Sequence, residues 1–134
     1  MQLPKYYIQE YYLKCALFSF LGMMLIAVAL KFILSDQISE TYLYIQLVAA
    51  VIIFSIGIIA LGAYNAFKAV HNAQVNVLSF HAIFIALLFT IELIYSSSSF
   101  WIILLRNISI FVLLQLGAFL YIKKSYHHVK HDSR

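Results

Sequence analysis

Four long apolar runs, at residues 13–34, 43–64, 77–95 and 100–122, limit what this chain can fold into more than any other feature. A helix needs about 20 apolar residues to cross ~30 Å of hydrocarbon, and each run is near that length. Only two charges stand deep within them, Glu92 and Arg106. The expected fold is an all-α integral membrane protein, with four transmembrane helices in an antiparallel bundle. Only 10% of the 134 residues are charged, where a soluble domain carries about 25%. The runs take up most of the chain, so one domain over residues 1–134 is expected and no separate soluble domain.

The first run begins behind Lys5 and Lys14, and Ala27-Val28-Ala29 imitates a signal-peptidase site. The apolar stretch continues through Leu34, too long for a secretory h-region, and it reads as a retained span. The single cysteine, Cys15, excludes an intrachain disulfide and reads as a small packing residue.

The connections sort by charge. The N-terminus, the 65–76 segment and the C-terminal tail hold Lys5, Lys14, Lys68, Lys123, Lys124, Lys130 and Arg134, seven of the nine Lys and Arg residues. The 35–42 loop and the Ser96–Ser99 turn have only Lys31 at their border, beside Asp36 and Glu40. Positive charge resists translocation, so both termini are expected in the cytoplasm. Tyr6, Tyr7, Tyr11, Tyr12, Tyr64, Tyr121 and Tyr126 would line the inner interface, and Tyr42, Tyr44, Tyr95 and Trp101 the outer one. The net charge of +4 is juxtamembrane, which points to anionic headgroups and not to nucleic acid.

Within this frame residues 1–12 read as an interfacial helix or a tail with tyrosines at the headgroups. The second helix is expected to outlast its span, since Asn65–Ala73 contains neither glycine nor proline. Asn72 or Asn76 then stops one helix and caps the next. The Ser96–Ser99 turn supplies hydroxyls to backbone groups at the ends of helices 3 and 4, which must pack as an antiparallel hairpin.

In lipid, close helix contact needs small residues. Helix 2 has Ser55, Gly62, Ala66, Ala69 and Ala73 on one stripe, and helix 1 has Cys15, Ser19, Gly22 and Ala29. Both stripes run along the inner half, so helices 1 and 2 are expected to approach most closely there. Intramolecular packing is the favoured reading, and a dimer or partner face the alternative.

Glu92 and Arg106 lie about 6 Å and 10 Å from the outer turn at 1.5 Å per residue, close enough to pair across the hairpin. Asn107, Ser97 or Ser98 would complete the hydrogen bonding. A structural staple is favoured over a gate or proton-coupled site, because a partner is at hand and no third ionisable group joins them. His81, one turn into helix 3, reads as a satisfied interfacial histidine. Gln115, Ser109 and Thr90 read as interhelical hydrogen-bonding residues. His127, His128 and His131 form a basic, pH-sensitive tail; His127 and His131 have the i,i+4 spacing of half a zinc site, but no metal-binding set is complete.

No nucleophile–base pair, metal set or haem-ligating histidine pair is visible, so neither an enzyme nor a cofactor is expected. The expected partners are the lipid bilayer and another membrane protein or a second copy. The favoured function is an accessory, regulatory or immunity-type interaction protein in a bacterial cytoplasmic membrane. The alternative is a homo-oligomeric transporter or channel for ions or small solutes, with Glu92 and Arg106 on its path.

Overall fold

The computed structural model describes residues 5–34, 40–69 and 73–132, and the side-chain surroundings of 9–34, 42–69 and 73–126. These residues form four helices: α1 (Lys5–Leu34), α2 (Glu40–Lys68), α3 (Ala73–Tyr95) and α4 (Phe100–Asp132). Each contains a segment long and apolar enough to cross a membrane: Gln9–Leu34, Tyr42–Lys68, Ala73–Tyr95 and Phe100–Tyr126.

The helices are longer than the apolar runs that seed them. No glycine or proline lies between Lys5 and Leu21, so nothing breaks the helix there. The segment expected as a separate interfacial helix is therefore the start of α1. Glu10 and Lys14 pair along it at 2.5 Å on its exposed face, an i,i+4 contact that supports helix formation modestly. At the other terminus α4 carries the histidine tail as helix through Asp132. The side chains of His127, His128 and His131 lie outside the described ones.

α2 ends earlier than its composition suggests. In a continuing helix the Ala69 N–H would bond the Asn65 carbonyl. It bonds the Ala66 carbonyl at 3.2 Å instead, and the Asn65 carbonyl accepts the Tyr11 hydroxyl at 2.9 Å. A side chain from α1 thus takes one of the carbonyls that a helix end leaves without a partner. Ala73 heads α3 and does not extend the stripe of α2, and Asn76 lies within the first turn of α3. Asn72 is outside the described residues. In the serine turn, Ser96 Oγ accepts the Ser98 N–H at 3.2 Å. The Ser99 carbonyl accepts the Ile102 and Ile103 N–H groups, which starts α4.

α2 and α4 form the central pair. α1 packs mainly on α2 and α3 mainly on α4, while α1 and α3 meet through Tyr11, Tyr12 and Phe80. The tightest approach is thus between helices 2 and 4, not 1 and 2 as the stripes suggested. A methyl group added at Gly62 would strike the Leu114 carbonyl, and one at Gly117 the Ile59 carbonyl and, at 3.0 Å, the Ala63 nitrogen. Two backbones meet here with no side chain between them. Gly22 and Gly57, by contrast, face the side chains of Leu61 and Ile26 across the α1–α2 contact. Gly62–Leu114 and Phe67–Tyr121 make α2 parallel to α4, while Gly22–Leu61 with Gly57–Ile26 makes α1 and α2 antiparallel, and His81–Gln115 with Glu92–Arg106 does the same for α3 and α4. All four helices alternate in direction, so the start of α1 and the end of α4 lie at one end, called the termini end below.

The core follows this arrangement. Cys15, Ile58, Phe80, Phe84, Ile110 and Leu114 form one buried cluster, and Ala66, Val77 and Ala118 a second one nearer the termini. Ser19 and Ala66 of the small-residue stripes are buried, while Ser55 and Ala69 are half-buried.

Candidate functional site

Two polar layers interrupt the apolar interior, about 16 Å apart along α3 from the eleven-residue separation of His81 and Glu92. The layer nearer the termini takes one residue from each helix: Ser19 of α1, Asn65 of α2, His81 of α3 and Gln115 of α4. Ser19, Asn65 and His81 are fully buried. The His81 ring lies between two side-chain amides, with Nε2 3.0 Å from Asn65 Nδ2 and Nδ1 3.0 Å from Gln115 Nε2. Ser19 Oγ lies 3.4 Å from Asn65 Oδ1 and 3.3 Å from its Nδ2. With the Tyr11–Asn65 contact, the chain of polar groups runs from α1 through α2 and α3 to α4.

The chemistry of imidazole constrains this layer. A neutral ring offers one N–H and one lone pair. If Asn65 Nδ2 donates to Nε2, Nδ1 carries the proton and Gln115 presents its carbonyl oxygen. The other tautomer reverses both amides. Asn65, His81 and Gln115 therefore change their hydrogen bonding together. His81 is fully buried. It lies eight residues into α3, about 12 Å along the helix, next to Phe80, against which Tyr11 and Tyr12 pack. The sequence reading did not join Ser19, Asn65 and Gln115 to it.

The second layer lies near the serine turn. Arg106 Nη2 is 2.8 Å from Glu92 Oε2. Asn107 Nδ2 donates to the same carboxylate oxygen at 2.7 Å and to the Ile103 carbonyl at 2.9 Å. These two bonds use both amide hydrogens and fix the orientation of the side chain, since a reversed amide would set its oxygen against the carboxylate. Asn107 Oδ1 is left buried with no donor. Ser97 and Ser98 make no side-chain bond to Glu92 among the described contacts. The pair is not enclosed: the Arg106 side chain is 42% exposed and that of Glu92 24%. Both charges look outward from the α3–α4 hairpin.

Two expected interhelical contacts turn inward on their own helices. Thr90 Oγ1 bonds the Ala86 carbonyl at 2.8 Å, and Ser109 Oγ the Leu105 carbonyl at 2.9 Å. Each hydroxyl thereby satisfies itself on the preceding turn. Gln115 alone of the three reaches another helix. Among the described residues no group of three His, Cys, Asp or Glu side chains is gathered to hold a metal.

Gly117, which sequence inspection passed over, belongs with Gly62 as a determinant of this geometry. The α2–α4 contact brings Asn65 and Gln115 to the two sides of His81. Compared with protein families, with curated proteins and with solved structures, the chain matches none, so its function is read from its own residues and geometry.

Proposed function

We propose that this chain is a multi-pass membrane protein that acts through helix contacts as an accessory, regulatory or immunity-type subunit, without catalysis. Its four helices span a cytoplasmic membrane, of bacterial type, with both termini inside. Charge placement supports the orientation: Lys68, Lys123 and Lys124 stand at the end where the termini lie.

One observation carries the reading. The polar side chains of the interior are engaged with one another, as Ser19–Asn65–His81–Gln115 and as Glu92–Arg106–Asn107. Networks of this kind key the helices to a single register, the best-attested use of buried polar groups. The four glycines are spent on internal contacts, so a partner meets large apolar side chains and the outward-facing charges. The half-exposed Arg106–Glu92 pair beside Leu105 and Ile102 marks the face that a partner helix would cover, because charged groups facing lipid are costly even when paired.

A photoreactive amino acid at Leu105, in the native membrane, tests this reading. The expected result is a discrete adduct with one other membrane protein, absent when the probe stands at Phe20 on the opposite flank of α1. Equal yields at both positions, or lipid adducts alone, would overturn it. The second reading, a homo-oligomeric transporter, is favoured by the same exposure of Glu92 and Arg106, which would face each other around a shared axis. Self-adducts from Leu105 together with ion flux in liposomes would favour it over the first.

A further inference from the structure

A groove of about 640 Å³ opens between α3 and α4 at the termini end. It lies where the first turns of α3 face Gln115–Lys123 of α4, with Tyr126 beyond the start of α3. With Gln115 opposite His81, α4 overhangs the start of α3 by about nine residues, ~14 Å of helix. Ala118 contributes too little side chain to fill the space between the helices. The walls are apolar: Val77 and Leu78 on α3, Ala118, Phe119 and Ile122 on α4. The polar groups are confined to the two ends. Lys123 stands at the mouth with Gln74 and Tyr126, and Gln115 closes the deep end, where its amide bonds His81.

We propose that this groove is a binding site for one anionic phospholipid, with an acyl chain lying along Leu78 and Phe119 and the phosphate held by Lys123. The inference rests on the reading of the helices as membrane spans. Three features select this occupant. The volume and mostly apolar lining are those of small-molecule sites. The cation stands at the end of the groove, at the level where a span meets headgroups. A basic pocket between spans on the cytoplasmic side is the arrangement that holds anionic headgroups. A zwitterionic lipid offers the same chain but no net charge to Lys123. A soluble phosphate offers charge but nothing for the apolar walls.

Gln115 gives the site a connection to the interior. A chain packed against its amide bears on the side chain that bonds His81, and through His81 on Asn65 and Ser19. Occupancy of a groove on one flank is thereby linked to the contacts that join all four helices.

The test uses the full-length chain, first shown to stay with membranes under alkaline extraction, then purified in mild detergent for native mass spectrometry. If alkaline treatment releases the chain, the membrane reading fails and the site fails with it. A membrane-integral chain without lipid preference sinks the groove alone. The probes are dioleoyl phosphatidylglycerol and dioleoyl phosphatidylcholine. One phosphatidylglycerol adduct should persist at activation energies that strip phosphatidylcholine, with a preference of about fivefold, the scale of one lysine near an anionic surface. Lys123→Gln should remove the preference and Lys124→Gln, outside the groove, should retain it. Leu78→Trp should reduce adducts of both lipids by filling the groove. Excess glycerol phosphate should displace nothing. Equal loss from Lys123→Gln and Lys124→Gln would show a diffuse basic end and overturn the site, as would displacement by glycerol phosphate.

Discussion

His81 shows how one side chain can join four helices. It has two ring nitrogens, each 3.0 Å from an amide on a different helix. Replacing it with leucine keeps the volume but takes a partner from the buried Asn65 amide and from the part-buried Gln115 amide, at ~1–3 kcal/mol for such a loss. His81→Leu should therefore destabilise the bundle by about 2 kcal/mol, measured by denaturant unfolding in mixed micelles. Asn65→Leu should cost about the same, and the double variant clearly less than the sum, because both changes remove one shared contact. Additive losses would show that the network does not act as a unit. Tyr11→Phe isolates the carbonyl at the end of α2 and should cost ~1 kcal/mol. At this scale the sequence was only partly legible. Glu92 and Arg106 stand out because a charge inside an apolar run is conspicuous, and a short turn forces their helices together. Asn65 and Ser19 are ordinary residues in their local context. Their meeting with His81 depends on which helices are neighbours, which no local pattern carries.

Among the helices, the decisive contact is α2 on α4. A methyl at Gly62 or Gly117 meets backbone, which cannot rotate away, so the helices must separate. At Gly22 and Gly57 it meets the tips of Leu61 and Ile26, which can shift to another rotamer. Alanine also gains ~1 kcal/mol of helix propensity over glycine. The expected order follows: Gly62→Ala and Gly117→Ala each destabilise by ~1–3 kcal/mol, the range for overpacking, while Gly22→Ala and Gly57→Ala stay near neutral. Thermal unfolding of the four variants in one detergent reads the order directly, and equal effects at all four positions would contradict it. The apolar runs announce the four helices, but not their full extent or their arrangement. Helix ends here are set by tertiary contacts, as when Tyr11 takes the carbonyl that would have carried α2 onward. The small-residue stripe of α2 is visible in the sequence, but its partner is not, because α4 offers only the adjacent Gly117 and Ala118 and no stripe at helical spacing.

For the whole molecule, the two polar layers and the charge asymmetry make separate predictions. If Glu92 and Arg106 are a staple, Glu92→Gln combined with Arg106→Met should preserve both folding and any cellular activity. Glu92→Gln alone should be the worse variant, since it strands Arg106 near the edge of the apolar zone at a cost of up to ~2.5–3.5 kcal/mol. Loss of activity in a folded double variant would instead place the charges on a path. Orientation can be read by labelling with a membrane-impermeant maleimide, because Cys15 is buried and should stay silent. Ser97→Cys should react from outside intact cells, and Ser125→Cys only after permeabilisation.

The central position of α4 also bears on how the chain is made. If the helices are membrane spans, as proposed, they leave the ribosome in order, and α1 and α2 can insert as a hairpin long before α4 exists. Until then the face of α2 that carries Ile58, Gly62 and Ala66 lacks its main neighbour, and α3 covers little of it, since it leans mainly on α4. The interior closes only when the last span arrives between the two earlier halves. A nascent chain halted after Tyr95 would present an open seam to the lipid and to the quality-control proteases that patrol it. α4 is the keystone that closes the seam left open by the three helices before it.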